Sequence, residues 1–429
     1  MTAASKPSIE IRADARAWYV FSILFAVYVF SSADRQILSI LAQDVKRDLD
    51  LSDAQIGLLT GPAIAILYGI VSIPVARLAD RYHRVRLLAA CMGLWSILTG
   101  LGGFAANLLQ LALSRMGVST AEGGGVPTSA SIMADYFPPS QRPLAFTLYS
   151  ISGVVGIFVS FAVGGFIATE YGWRVALISL AVPGLVLSLL LLATVREPMR
   201  GATDGKAPAG SPQPDLWRSL GIILSDPLFR PVLVGSCLTS FASAGALAWG
   251  PTLAMRRFAS NTAEVGGYLG GGILLIGAAS LLISAMVADW VVRRHGRARL
   301  LRIVALVQLP AIPVLGIALT VDNLISALGM LGLFYSMMQI FVTVYWGVAS
   351  TMPAPLRATT AAVGIVTNLT VATGLAPFVV GGLSDLLSPS LGSAGLAWAM
   401  AVLPVAVAIS SAAFMRAAAV AQRPAQSMT

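Results

Sequence analysis

The chain is 429 residues long, 57% hydrophobic and only 11% charged, with a net charge of +9 and a mean hydropathy of +0.81. Soluble domains carry about 25% charged residues, so this composition excludes a wet-surfaced globule and specifies an integral membrane protein. Its two cysteines, Cys91 and Cys237, both lie in apolar runs and make neither a disulfide framework nor a metal site.

The polar stretch 1–16 has no apolar core followed by a cleavage site, so no signal peptide is expected. Crossing a bilayer takes about 20 mostly apolar residues. Twelve such runs follow, at 17–40, 55–78, 86–106, 108–135, 144–169, 174–195, 231–255, 265–288, 302–321, 323–351, 358–384 and 392–415. Between the sixth and seventh, residues 196–228 cluster Pro, Gly, Ser and charge, which predicts a linker with a short surface helix near Leu216 to Leu224. The expected organisation is a six-helix bundle over 1–195, a cytoplasmic linker over 196–228 and a second six-helix bundle over 229–429.

The connections set the orientation. The N-terminus, the even-numbered connections, the centre and the C-terminus hold 21 of the 28 Lys and Arg residues. Lys46, Arg47, Arg174, Arg256 and Arg257 lie on the other side, and two more are intramembrane. The positive-inside rule then puts both termini in the cytoplasm and the chain in the cytoplasmic membrane. The basic balance follows from topology, and no nucleic-acid partner is expected.

The two halves echo each other. "ARLADRYHRVR" from Ala76 recurs as "AMVADWVVRRHGRAR" from Ala285, "PPSQRPLAFTL" from Pro138 as "PAPLRATTAAV" from Pro353, and "VGGF" from Val163 as "VGGL" from Val380. Landmarks repeated in order at about half the chain length indicate a duplicated six-helix unit.

Charge inside hydrocarbon costs about 3 kcal/mol by insertion scales and is retained where it does a job. Four charges lie clearly at membrane depth: Asp34 and Arg35 in the first span, within "FSSADRQIL", and Arg115 and Glu122 in the fourth. At 1.5 Å per residue, Asp34 and Arg115 both sit roughly 10 Å below the same surface, and Glu122 about 10 Å deeper on the face of Arg115. Their charges sum to zero, and buried ion pairs stabilise poorly compared with packed apolar side chains, so a functional network in a central cavity is the expectation. Burial favours a neutral carboxylate and a neighbouring guanidinium favours a charged one. An acid whose arginine is engaged in one state and free in another therefore couples protons to conformation. Asp34 and Glu122 are the candidate proton carriers, while Arg35, Arg115 and Glu122 are candidate substrate contacts.

The second half has no charge at that depth. It offers Trp249, Tyr268, Gln339, Thr343, Tyr345, Trp346 and Asn368, of which Trp249, Gln339, Tyr345 and Trp346 are taken as candidate substrate contacts. A charged half facing an aromatic half suits an amphipathic substrate. Pro127 and Pro377 mark expected kinks in the fourth and eleventh spans.

The stretch Ala76 to Arg86, "ARLADRYHRVR", resembles the loop signature of the major facilitator superfamily, with Ala76 and His83 in place of its glycines. The chain is most similar to the spinster branch, in "ADRQIL", "DRYHR", "SRMGVSTAEGGGVPTSASIMADYF", the "REP" after the sixth span and "DPLFRPVLVGSCLTSFASAGALAWGPTLAMR". The resemblance implies an all-α fold of 12 transmembrane helices in two bundles. It also implies a latch at the cytoplasmic side, with Asp80 resting on the positive N-terminus of the eleventh helix. Asp80, Arg81 and Arg84, the second copy at Asp289, and Arg142 and Arg357 in the repeated loops are the candidate gating residues. Animal members of the branch move sphingosine phosphate and lysophospholipids.

The function expected is secondary active transport by alternating access, coupled to protons, of an amphipathic anion such as a lysophospholipid. Hydrophobic drugs or aromatic acids are the alternative cargo, and a receptor or scaffold without flux is a remoter one. No enzyme is expected: the two histidines, His83 and His295, lie in basic loops, and the acids have no nucleophile beside them. No cofactor or metal is implied, and the carrier is expected to work as a monomer in contact with membrane lipid.

Overall fold

The computed structural model describes residues 14–199, 216–339, 344, 345, 347, 348 and 352–422; the side chains of Asp80, Arg81 and Arg357 lie outside that description. All regular structure among the described residues is helical. In chain order the long helices are α1 (Ala15–Asp48), α2 (53–81), α3 (Arg84–Gly102), α4 (108–136), α5 (Arg142–Tyr171) and α6 (Trp173–Thr194). After a short helix, Leu216–Ser225, come α7 (Phe229–Phe258), α8 (Thr262–His295), α9 (Arg297–Thr320), α10 (from Leu324–Met338), α11 (354–391) and α12 (395–420). Among the described residues, nine uninterrupted stretches are long and apolar enough to cross a bilayer. The twelve helices exceed that number because α4 is broken in the middle, the described part of α10 is short, and α11 and α12 run together.

The breaks have local causes. Proline cannot donate to the carbonyl four residues back and its ring crowds that carbonyl. In α4 the carbonyl so affected by Pro127 is that of Gly123, and the helix stops at Glu122 and restarts at Gly125. In α11 the residue four before Pro377 is Thr373, the last of a widened turn over Asn368–Thr373. Four of the helices that begin at the arginine-poor face, α2, α4, α8 and α10, carry side-chain caps, Ser52, Asn107, Asn261 and Asn323, each accepting from a backbone N–H in the first turn. Gly172 and Gly296 turn sharply between helices at φ +85° and +79°, where a side chain would strain the backbone.

Within the first six helices α1 lies on α5 and α3 on α6; within the second six α7 and α9 lie on α12. The halves meet through α2 on α11, α5 on α8 and α1 on α7. One apolar core runs through both halves at the arginine-poor end, joining Ile37, Leu41 and Phe161 to Trp249, Leu253 and Val380. At the arginine-rich end each half keeps its own core, around Leu24, Met92 and Phe137 in the first and Phe229, Val304 and Phe414 in the second. The molecule is therefore closed at the arginine-poor face.

Candidate functional site

The intramembrane charges form two crossed pairs between α1 and α4. Asp34 accepts from Arg115 Nη1 at 2.9 Å and also from the Thr99 hydroxyl of α3. Both partners are almost fully enclosed, at 3% and 1% exposure. The next residue on α1 faces another way: Arg35 Nη1 donates to Glu122 Oε2 at 3.2 Å and to Ser31 Oγ at 2.8 Å. Successive helix positions are about 100° apart, so the neighbours Asp34 and Arg35 serve different surfaces. Asp34 is packed among α1, α3 and α4, beside a small cavity lined by Phe30, Trp95, Ser96 and Thr99. Arg35 is the more accessible member of the quartet.

A cluster of tyrosines surrounds Arg35. Its guanidinium lies 5.6 Å from the ring centre of Tyr28 on α1 and 6.0 Å from that of Tyr68 on α2, within cation–π range. Tyr28 stacks in turn on Tyr149 of α5, with ring centres 4.9 Å apart and planes inclined by 15°. In the second half, Gln339 Nε2 of α10 donates to the Tyr335 hydroxyl at 3.4 Å. The sequence reading missed these tyrosines. Tyr28 was detectable, seven residues before Arg35 and so on the same helix face; the others come from distant helices. Glu122 Oε1 and Arg115 Nε and Nη2 are buried with no hydrogen-bond partner among the described residues. The quartet thus keeps unused donors and an unused acceptor beside an aromatic lining.

Other sequence candidates are placed elsewhere. Trp249 is 1% exposed, and its Nε1 donates to Pro377 O at 2.9 Å, which satisfies the backbone at the α11 kink. Tyr345 is also internal, donating to Thr360 O at 2.6 Å and packing on Phe229. Tyr268 is exposed at the periphery, and Asn368 bonds Ser240 within the second half. Trp346 and Thr343 lie outside the described residues.

The gating candidates divide similarly. Arg84 is buried within the first half, where it pairs with Asp135 and Glu197, each at 2.6 Å, and donates to Ser131 Oγ and Pro198 O. Glu197 also accepts from the Val85 N–H. This clamp joins the start of α3, the end of α4 and the chain leaving α6, and it does not cross between halves. Asp289 is exposed and pairs with Arg293 one turn along α8. Arg142 opens α5 and donates to Phe137 O at 3.1 Å. Arg84 and Asp289 thus find the partners named here within their own half. The side chains of Asp80, Arg81 and Arg357 are outside the described residues.

Sequence reasoning also missed a cross-half cluster at the arginine-poor face. Asp53, at the start of α2, accepts from Lys46 at 2.5 Å, from Arg256 Nη1 and Nη2 of α7 at 2.8 and 2.6 Å, and from Ser384 of α11 at 2.7 Å. The signal available was Ser52 with Gln55 three residues on, a capping box that starts a helix at Asp53.

Residues 24–374 match the family model described as Major Facilitator Superfamily. An MFS-type efflux pump of Mycolicibacterium smegmatis is 31% identical over 401 residues, 92% of this chain and 91% of that protein. Protein spinster homolog 1 of Xenopus tropicalis is 27% identical over 237 residues, 54% of this chain and 45% of that protein. Among solved structures, a bacterial homolog of the human lysosomal transporter spinster, in an inward-facing and unoccupied conformation, superimposes with a TM-score of 0.82 at 24% identity, covering 97% of this chain and 98% of that one.

Proposed function

The chain belongs to the major facilitator superfamily, and from that premise we propose that it is a proton-coupled secondary transporter of an amphipathic organic anion, working by alternating access. The observation that carries this reading is the Arg35–Glu122 pair. Arg35 is held by Ser31, Tyr28 and Tyr68 independently of its carboxylate partner. When Glu122 takes up a proton, its attraction for Arg35 falls and the guanidinium keeps its place. An anionic headgroup then replaces the lost charge, while the tyrosine faces and Gln339 receive the apolar part. Loss of the proton restores the original pair and expels the anion. The Glu122 carboxylate and the substrate anion thus compete for one position on one guanidinium, and the proton on Glu122 decides between them. Asp34 and Arg115, enclosed and linked to Thr99, hold α1 and α4 in register and adjust the charge that Glu122 feels.

In this reading the arginine-rich face lies in the cytoplasm of a bacterium, as the positive-inside rule requires. The substrate site is then shut off from the outside. A lysophospholipid or related single-chain lipid anion is the first cargo class, supported by the uncharged aromatic side of the site and the spinster resemblance. A hydrophobic drug or aromatic acid is the second, supported by the tyrosine faces beside Arg35.

The test begins with a thermal-shift screen of lysolipids and organic anions on purified protein. Ligands that raise the melting temperature are then followed into proteoliposomes, with and without a pH gradient. Gradient-driven flux that disappears in Asp34→Asn and Glu122→Gln supports the reading. Binding without flux supports a receptor, and flux indifferent to the gradient in every variant refutes proton coupling.

A further inference from the structure

Two of the three crossings between the halves are one contact made twice. Where α2 crosses α11, a Cβ added at Gly57 would lie 2.4 Å from the carbonyl oxygen of Pro377, and one at Gly61 would lie 2.2 Å from that of Gly374. Where α8 crosses α5, a Cβ at Gly266 would lie 2.0 Å from the carbonyl oxygen of Phe161, and one at Gly270 would lie 3.5 Å from that of Phe158. Gly266 and Gly270 stand 209 residues after Gly57 and Gly61, and Pro377 and Gly374 stand 216 residues after Phe161 and Phe158. The return contacts keep the same two offsets: a Cβ added at Gly381 would lie 2.4 Å from the Asp53 carbonyl oxygen, and one at Gly165 would lie 2.7 Å from that of Thr262. So do the helix starts. The Ala54 N–H donates to Asp385 Oδ2 at 2.7 Å, and the Ala263 N–H donates to Thr169 Oγ1 at 2.9 Å.

The two copies differ in charge. Where α8–α5 has Thr262 and Thr169, α2–α11 has Asp53 and Asp385. Asp53 is 1% exposed and shared by Lys46 of the first half and by Arg256 and Ser384 of the second. Arg256 reaches back to Gln43 of α1 at 2.8 Å. At the other crossing Thr262 makes a single side-chain bond to an acid, Asp44, at 2.9 Å. The glycine seams close both crossings by backbone packing; only one carries an ion cluster spanning the halves.

We propose that the gate at the arginine-poor face has a charged latch, α2–α11, and a neutral crossing, α5–α8, and that Asp53 and Asp385 set how readily that face opens. Removing one partner of a buried ion cluster leaves the remaining charge enclosed and uncompensated, a penalty larger than the net worth of the pair. Asparagine at position 53 would leave Arg256, one-fifth exposed and still bonded to Gln43, without its anion in a largely desolvated site only while the face is closed, because opening returns it fully to water. The closed state alone is destabilised, and the equilibrium moves toward open. Valine at position 169 or 262 removes a neutral donor or acceptor and strands no ionised group of the second half. The inference rests on the duplicated fold and not on the cargo, so it survives a wrong substrate assignment.

The test is a spin-label distance measurement across the gate, between Asp50→Cys and Ser390→Cys, two exposed positions at the ends of α1 and α11, in full-length protein with Cys91→Ser and Cys237→Ser. Asp53→Asn is expected to raise the ratio of long-distance to short-distance populations about tenfold, and Asp385→Asn, which weakens two charge-assisted bonds from backbone N–H groups of α2, is expected to raise it about fivefold. Thr169→Val and Thr262→Val are expected to stay within about twofold. Equal shifts from the threonine and aspartate variants, or none from either aspartate, overturn the proposal. Should Asp53→Asn not fold, Asp385→Asn carries the test alone: its side chain is half-buried and makes two backbone hydrogen bonds.

Discussion

Arg35 and Glu122 lie 3.2 Å apart across α1 and α4, and the pair is saturated on neither side. Glu122 keeps one oxygen without a partner, while Arg35 retains a hydroxyl and two aromatic faces as further support. Such a pair can exchange partners without the arginine losing its place.

Glu122→Gln preserves shape and removes the exchangeable charge. Flux driven by a pH gradient should fall at least about tenfold, while substrate counterflow at equal pH on both sides persists, because rocking of the halves does not itself need the proton. Radiolabelled or fluorescent substrate in proteoliposomes measures both. Retained gradient-driven accumulation would remove Glu122 from the coupling step.

Tyr28 tests the aromatic support. A desolvated cation–π contact is worth about 1–2 kcal/mol, so Tyr28→Leu should raise the substrate KM about five- to twentyfold. Tyr28→Phe, which keeps the ring, should remain within about twofold of wild type. An equal loss in both variants would point to the hydroxyl instead.

Trp249→Phe separates packing from binding. It removes the donor to Pro377 O and should cost about 1–3 kcal/mol of stability, seen as a lower melting temperature in detergent. Its KM should not change. A raised KM with unchanged melting would return Trp249 to the substrate contacts.

Arg84 supplies the largest expected stability effect. Arg84→Met would remove the buried cation that Asp135 and Glu197 share, at a cost of about 3 kcal/mol or more. Glu197 is partly exposed, so Glu197→Gln should lose less. The melting temperatures should rank wild type, Glu197→Gln, Arg84→Met in descending order.

The span count, the duplication and the intramembrane quartet were legible in the sequence because each follows from the bilayer: length sets the spans, and the cost of charge singles out Asp34, Arg35, Arg115 and Glu122. Which acid meets which base was not, since that depends on the rotation of α1 about its axis. Trp249 and Tyr345 show the same limit. Large side chains with one polar atom suit a cavity or a kinked backbone equally well, and here the bond goes to Pro377 O and Thr360 O. The Asp53–Arg256 cluster joins positions 203 apart in the chain, and no local pattern announces such a pairing.

The break in α4 divides the quartet mechanically. Arg115 belongs to the rod that ends at Glu122, while the rod that begins at Gly125 carries Asp135, tied through Arg84 to the chain leaving α6. In the transport cycle proposed above, the break directly after Glu122 is where the second rod would swing, with Asp34 and Arg115 still clasped. The acid at the joint is then the member whose surroundings change most through the cycle, for a reason of levers as much as of charge.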